Sequence, residues 1–242
     1  MDVKADFNSA ALFSTGFEAE QYFRRKGYAE IGRRTNAAAL ARPRDNFIIR
    51  ISEDAFGSSE FFLLAQSMQG NVYLPRVHGQ RTLPSGDHIA CVERLVSLST
   101  RETYCRYKSI YQAQSEGRDV DPLDREWRER VDAAVEVGKK ISMTFMNPDY
   151  HPDGFVLPKM EQYLTAAVAL LDLAERVHSL DARYVPGPDM NMTNILFRQD
   201  DEGNLSPVLY DPLIKQSHAQ AERCNVNAAR SKFGLPPLGF GS

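Results

Sequence analysis

Residues 187–213 read GPDMNMTNILFRQDDEGNLSPVLYDPL, and this stretch decides the fold. Asp189 is followed five residues later by Asn194. An apolar run follows Asn194, then come a polar turn at residues 199–205 and a second apolar run that ends at Asp211. Two apolar runs joined by a short polar turn predict a β-hairpin. Because the strands of a hairpin lie side by side, the sequence predicts that Asn194 and Asp211 are neighbours.

This spacing suits one kind of chemistry. Phosphoryl transfer needs a carboxylate that faces the acceptor hydroxyl and oxygen ligands for the Mg²⁺ ions that bridge the phosphates of ATP. The sequence assigns the first role to Asp189 and the metal to Asn194 and Asp211. Asn191 is predicted to lie near the transferred phosphate, where it can donate a hydrogen bond but supplies no charge. The alternative is an ordinary turn with a solvated Asp and Asn, since this offset is common by chance.

Strand-like segments occupy the first hundred residues. Runs at 28–31 and 46–51 predict strands, residues 58–68 predict a helix with an apolar face, and residues 88–95 predict a further strand. Strands, then one helix, then strands is the order of a kinase N-lobe. The chain is expected to cross from this lobe to the next near residues 93–99.

The predicted N-lobe offers candidates for binding ATP. Kinases place a Gly-rich loop over the phosphates and a Lys on the third strand, paired with a Glu on the next helix. This chain has Gly32 alone in EIGRRTNAAALA, and Arg50 where the Lys is expected, with Glu60 as its predicted partner. The strand that contains Glu93 and leads to Leu95 is predicted to contact adenine through backbone groups. The alternatives are a surface Arg, a solvated Glu and a plain amphipathic strand.

The second half of the chain is predicted to be mainly helical. A charged segment at 116–130 overlaps the start of one predicted helical face, formed by Trp127, Val131, Val135 and Ile141. A second predicted helix ends near His178, and its predicted buried face consists of Met160, Leu164, Val168, Leu171, Ala174 and Val177. This helix is expected to lie under the catalytic turn.

Composition agrees with an ordinary globular protein. The chain has 242 residues, of which 43% are hydrophobic and 25% charged, and a formal net charge of -3. This charge gives no general attraction to nucleic acid, so no direct nucleic-acid contact is expected. The apolar runs are too short to span a bilayer, and no membrane association is expected. Cys91, Cys105 and Cys224 share no metal spacing and are expected to be reduced thiols, as in cytosol.

The residues also show a family resemblance. GPDMNMTNILF followed by PVLYDPL resembles the early host-takeover serine/threonine kinases of T-seven-type short-tailed phages, and SMQGNVYLPRVHG at residues 67–79 is similar to their segment before the fourth strand. The resemblance implies an ATP- and Mg²⁺-dependent protein kinase in the host cytoplasm. Its substrates would be host bacterial proteins of transcription, RNA processing or translation, with RNA polymerase and the RNA-processing machinery as candidates. Gly187-Pro188 and Pro212-Leu213 replace the commonest kinase dipeptides, as in the resembled family.

Together these features predict an α+β fold, namely a minimal bilobal protein-kinase-like fold. The small β-rich N-lobe would comprise residues 1–96, and the mainly helical, truncated C-lobe residues 97–242. The C-lobe is expected to be truncated because only 31 residues follow Asp211. An ordinary protein kinase needs an activation segment and several helices there.

Two other functions stay open at the level of sequence. A catalytically weak pseudokinase that binds or inhibits a host target would explain Arg50 and the single Gly32. A phosphotransferase for a small molecule such as an antibiotic would share the catalytic Asp and Asn, although it usually carries a more carboxylate-rich second metal motif than Asp-Pro-Leu.

Overall fold

The computed structural model describes residues 3–34, 37–53, 55–98, 100–147, 156–210, 213 and 215. The helices are α1 (Val3–Ser9), α2 (Gly16–Arg25), α3 (Ala55–Ser67), α4 (Arg101–Ser115), α5 (Pro122–Met146) and α6 (Met160–Leu180). The strands are β1 (Ala29–Arg34), β2 (Ala37–Ala41), β3 (Phe47–Ser52), β4 (Val77–Thr82), β5 (His88–Glu93), β6 (Ile195–Gln199) and β7 (Leu205–Leu209). Short 3₁₀ turns occur at Ala10–Leu12 and Met192–Asn194.

The first five strands form one antiparallel sheet in the order β1-β2-β3-β5-β4. Strands β3 and β5 lie inside the sheet, and their residues are almost all buried. Such continuous burial requires that both faces of the sheet be covered, because successive side chains of a strand point to opposite faces.

Two helical layers cover these faces. On the outer face, Ile49 and Ile51 belong to the same apolar cluster as Phe23 of α2. On the inner face, Ile48 belongs to the larger cluster that includes Phe62 of α3. The residues before β1 are therefore part of the fold, since α1 and α2 cover a sheet face that would otherwise expose apolar side chains.

The second half of the chain packs helices against the β6-β7 hairpin. Phe197 of β6, Ile141 of α5 and Leu170 of α6 are all fully buried in the larger cluster. Val96, on the segment that leaves the sheet, pairs with Phe197 through backbone hydrogen bonds in both directions, of 2.7 and 2.8 Å. The hairpin is therefore joined directly to the segment that follows the sheet.

The elements reproduce the predicted α+β, two-lobed protein-kinase-like arrangement. The predicted helix at 58–68 is α3, and the predicted strands at 28–31, 46–51 and 88–95 are β1, β3 and β5 with ends shifted by a few residues. Strand β2 and helices α1 and α4 were not predicted. Within the described part of the chain, no helix combines the length and apolar character needed to cross a membrane.

The predicted buried face of α6 is confirmed at Ala174 and Val177 but is wrong at the three residues before them. Leu164, Val168 and Leu171 are 53%, 56% and 43% exposed. The buried residues of the helix are Tyr163, Ala166, Leu170, Leu173, Ala174 and Val177. The two stripes share their C-terminal residues. Earlier in α6 the buried stripe contains Tyr163 and Leu170, each about 100° around the helix axis from the exposed residue that follows it. The period of the sequence therefore predicted the helix correctly, but it could not select between two apolar stripes.

Candidate active site

The candidate active site is built around the turn that contains Asp189. The side-chain amide of Asn194 donates to the carbonyl oxygen of Asp189 at 2.6 Å and to its Oδ2 at 3.1 Å. The amide of Asn191 donates to both carboxylate oxygens of Asp189, at 3.1 and 3.2 Å. Two asparagines thus fix the orientation of one half-buried carboxylate, and preorganisation of this kind favours catalysis.

Asn191 also shapes the turn itself. It precedes the 3₁₀ turn Met192–Asn194, and its amide oxygen accepts from the backbone N–H and the hydroxyl of Thr193, at 2.8 and 2.6 Å. The sequence predicted that Asn191 would lie near the transferred phosphate. In the structure its amide nitrogen is directed at Asp189, so its visible role is to hold that carboxylate.

The hairpin has the register that the sequence requires. Ile195 lies opposite Leu209, and the backbone N–H of Tyr210 donates to the carbonyl of Asn194 at 2.8 Å. Tyr210 directly precedes Asp211 in the sequence. Asp211 lies outside the described residues, so its predicted pairing with Asn194 at a metal stays a prediction.

The donor set around the turn is compatible with Mg²⁺. Mg²⁺ prefers carboxylate and amide oxygens, and Asp189 and Asn194 supply such atoms. Because the amide nitrogen of Asn194 is held by Asp189, its amide oxygen is turned away from that carboxylate. Among the described residues, no group of three or more His, Cys, Asp and Glu side chains could hold a metal. A metal here would therefore depend on Asn194 and on residues such as Asp211.

The segment that leads into the turn is anchored at both ends. Asp181 ends α6, and hydrogen bonds from Arg183 lower the pKa of Asp181 to about 2, so its carboxylate is ionised at neutral pH. Nδ1 of His178 lies 2.8 Å from the carbonyl oxygen of Tyr184. The buried hydroxyl of Tyr184 accepts from the backbone N–H of Gly57 at 3.1 Å. The segment before the Asp189 turn is therefore connected to the first turn of α3.

Arg50 lies on β3, on the face of the sheet that carries α3. Its cross-strand neighbours are Ala39 on β2 and Ala90 on β5. Small methyl side chains therefore flank Arg50 on both neighbouring strands. Arg50 itself is only 7% exposed, so the predicted alternative of a surface Arg on an edge strand does not apply.

Hydroxyl and aromatic groups surround the guanidinium. Nη1 of Arg50 donates to Oγ of Ser58 at 3.3 Å. The guanidinium carbon lies 5.4 Å from the ring centre of Phe62 and 5.8 Å from that of Tyr210, which are distances typical of cation–π contacts. The backbone N–H of Tyr210 also donates to Asn194, so Arg50 and the turn at Asp189 share one neighbour.

Glu60 does not form the predicted pair with Arg50. Its carboxylate accepts from Arg176 of α6 at 2.8 Å. Glu60 is two residues beyond Ser58, and this separation turns it about 200° around the helix. The face of α3 that meets Arg50 therefore carries Ser58, whereas Glu60 lies beside α6.

The two residues predicted to contact adenine, Glu93 and Leu95, differ in whether their backbone groups are already hydrogen-bonded. The backbone N–H of Glu93 donates to the carbonyl of Arg76 at 2.9 Å, so it is used within the fold. The N–H groups of Arg94 and Val96 donate to Asn46 and Phe197. Among the described residues, the backbone of Leu95 has no such partner. Leu95 therefore keeps a backbone donor and acceptor that suit an adenine edge, and its contact with adenine stays a prediction.

Gly32 lies on β1, opposite Ala39 of β2. A methyl group added at Gly32 would meet no atom within 4 Å, so the site has open space on that side. Residues 35–36, which join β1 to β2, lie outside the described residues. The predicted contact between Gly32 and the phosphates stays a prediction.

Sequence reasoning missed Ser58 and Tyr210 as neighbours of Arg50. A signal for Ser58 exists, because Ser58 and Phe62 are four residues apart and so share one face of α3. Tyr210 could have been found from its place between the hairpin and Asp211. No local pattern indicates that either residue meets Arg50, since the contacts join segments that are distant in the sequence.

Comparison with known proteins gives little guidance for this chain. No protein-family model matches it, and no curated protein matches it. Among solved structures, it is similar to aminoglycoside phosphotransferase APH(4)-Ia, with 14% identity over 88% of this chain and 76% of that chain and a TM-score of 0.32. A thermostable mutant of that enzyme in its apo form is 10% identical over 80% of this chain and 71% of that chain, with a TM-score of 0.31. Likeness at this level does not support an argument about the substrate.

Proposed function

We propose that this protein is an ATP- and Mg²⁺-dependent phosphotransferase that phosphorylates serine or threonine hydroxyls of proteins. The observation that carries the proposal is the carboxylate of Asp189, clamped by the amides of Asn191 and Asn194 at the start of the hairpin. Positioning is the main contribution that a protein makes to phosphoryl transfer, and this arrangement positions one acid.

The residues take separate roles in this proposal. Asp189 orients the acceptor hydroxyl and accepts its proton, while Asn191 and Asn194 keep the carboxylate in place. Arg50 binds phosphate oxygens of the nucleotide with its guanidinium. Asn194 and Asp211 would hold Mg²⁺, which when bound neutralises charge on the phosphates. Leu95 would contact adenine through its backbone.

The protein acceptor and the setting rest on the sequence. Residues 188–213 and 67–79 resemble the host-takeover kinases of T-seven-type phages. We therefore propose that the chain acts in the cytoplasm of an infected bacterium, on host proteins of transcription, RNA processing or translation. RNA polymerase and RNA-processing enzymes are the first candidates.

A radiolabelled-ATP assay on a bacterial lysate tests the activity. Asp189→Ala is expected to lower protein labelling by about 10²–10⁴-fold, because general-base groups contribute rate factors of this size. Its affinity for ATP should change by less than about twofold, since Asp189 acts on the acceptor. Asp201→Ala in the exposed hairpin turn is the matched control and should label like the parent. Equal labelling by the parent and Asp189→Ala would reject the role of Asp189.

A pseudokinase is the second candidate, favoured by Arg50 in place of the usual Lys. It would bind MgATP and a host protein without transferring phosphate. The same assay separates the two, because a pseudokinase gives no labelling by the parent although equilibrium binding of ATP is measurable. Transfer to an added small acceptor, with no labelled protein, would instead indicate a small-molecule phosphotransferase.

A further inference from the structure

One face of α3 meets Arg50 through a serine. Ser58 and Phe62 are one helical turn apart, and both contact the guanidinium of Arg50. Ser58 is 4% exposed, so water has little access to its hydroxyl. A buried hydroxyl needs a hydrogen-bond partner, and here it has one on each side.

The hydroxyl of Ser58 has a defined direction. It donates its single hydrogen to Oγ of Ser52 at 3.1 Å, and this leaves its lone pairs to accept from Nη1 of Arg50. Ser52 is itself fixed by the sheet, where it pairs with Ala37 on one side and His88 on the other. A hydrogen-bonded path thus runs from the sheet through Ser52 and Ser58 to the guanidinium.

We infer that Ser58 is the positioning residue for Arg50, in the place where the sequence predicts Glu60. This inference rests on the proposed function, in which Arg50 binds nucleotide phosphates. Glu60 already pairs with Arg176, on the other side of α3. A serine orients the guanidinium without adding a negative charge beside the phosphates. Such orientation matters for an Arg, because the planar guanidinium donates hydrogen bonds in fixed directions that change when it rotates. A Lys ammonium acts as a point charge and depends less on orientation.

Nucleotides with different numbers of phosphates reveal this role. Ser58→Ala in the full chain is expected to lower affinity for MgATP and MgADP by about three- to tenfold, the effect of one typical intramolecular hydrogen bond. Affinity for adenosine should not change, because adenosine does not reach Arg50. Ser58→Thr keeps the hydroxyl and should restore the affinity of the parent. Ser67→Ala, an exposed serine of the same helix, is the matched control.

If Ser58 had only a structural role, Ser58→Ala would lower affinity for MgATP, MgADP and adenosine alike. That result would overturn the inference. So would an unchanged affinity of Ser58→Ala for MgATP when the parent binds it. Circular dichroism of each variant verifies that the fold is retained.

A second measurement does not depend on nucleotide. The ¹⁵N signal of the Arg50 side chain, assigned by its loss in Arg50→Lys, should shift or broaden in Ser58→Ala and stay in place in Ser67→Ala. If the parent binds no nucleotide, the proposed function fails, and this signal still decides whether Ser58 holds the guanidinium. An unchanged signal in Ser58→Ala would overturn the inference even in a parent that binds ATP.

Discussion

At the scale of single residues, Glu93 departs most from its predicted role. Its carboxylate is buried and accepts from the guanidinium of Arg198 on β6, with Nε 3.0 Å from Oε2 and Nη2 on Oε1. Arg198 also donates to the carbonyl oxygens of Val72 at 2.6 Å and Leu74 at 3.2 Å. This ion pair joins the end of the sheet to the hairpin beside the candidate site. Glu93 therefore acts through its side chain as a structural residue.

Removing one partner of this pair should be costly. Arg198→Met is expected to lower the free energy of unfolding by about 3–5 kcal/mol, because the buried carboxylate loses its buried cation and, among the described cations, keeps only the exposed Arg76 at 3.9 Å. Combining it with Glu93→Gln should recover part of the loss. Arg183→Met, which removes an exposed arginine paired with Asp181, is the control and should cost much less. Urea denaturation measures all four proteins, and equal losses for the two arginines would contradict the assignment.

Arg50 allows a second prediction at this scale. Arg50→Met keeps the apolar stem and removes the charge, so it should weaken MgATP binding by about tenfold or more. Arg50→Lys keeps the positive charge that kinases use here and should retain binding. Arg44→Met changes an exposed arginine outside the site and serves as the control in titration calorimetry. Parent-like binding by Arg50→Met would remove Arg50 from the phosphate site.

At the scale of elements, α6 shows how packing selects one face of a helix. Leu170 and Leu171 are adjacent, yet Leu170 is fully buried whereas Leu171 is substantially exposed. Leu170 lies on the stripe that joins the larger core, and Leu171 lies on the stripe that the sequence predicted to be buried. The two leucines therefore form a matched pair that tests the phase of the helix.

Truncation of each leucine gives opposite expectations. Leu170→Ala should lower the free energy of unfolding by about 2–5 kcal/mol, because it removes buried apolar atoms and leaves a cavity. Leu171→Ala should change it by less than about 1 kcal/mol, since its side chain is already in contact with water. Thermal and urea unfolding of both variants measure the two changes in the free energy of unfolding. A larger loss of stability for Leu171→Ala than for Leu170→Ala would show that Leu171 lies on the buried face, as the sequence predicted.

At the scale of the whole molecule, the site joins groups from both halves of the chain. Arg50 belongs to the sheet, Ser58 to α3, and Asp189, Asn194 and Tyr210 to the segment around the hairpin. A site assembled from all of these segments exists only in the folded chain, so nucleotide would bind only that state. Ligands that bind only the native state stabilise it by mass action, by about 2.7 kcal/mol at one hundred times the dissociation constant.

Because nucleotide is proposed to bind the folded chain together with Mg²⁺, Mg²⁺ should increase the stabilisation of the native state by ATP. MgATP should raise the melting temperature of the parent, and EDTA should remove most of that increase. Asn194→Ala is expected to lose the Mg²⁺-dependent part, because it removes the amide oxygen proposed to bind the metal. Asn204→Ala, in the hairpin turn, is the control and should respond to MgATP like the parent. An equal Mg²⁺ response of Asn194→Ala would remove Asn194 from the metal site.

The sequence by itself determined the local structure around the site. Two apolar runs joined by a polar turn predicted the hairpin at residues 195–209, and the offset of Asp189 and Asn194 predicted the turn before it. The apolar residues Phe61 and Phe62 gave the buried face of α3. These features depend on hydrogen bonds and spacing within a few residues, so a single segment contains the information for them.

Only the tertiary structure decided which groups meet across segments. It placed Ser58 rather than Glu60 at Arg50, directed Glu93 to Arg198, and buried Leu170 instead of Leu171. In each case the local pattern allows more than one partner. The choice is made by elements that are distant in the sequence, because burial and charge pairing depend on what packs against a face and not on the face alone.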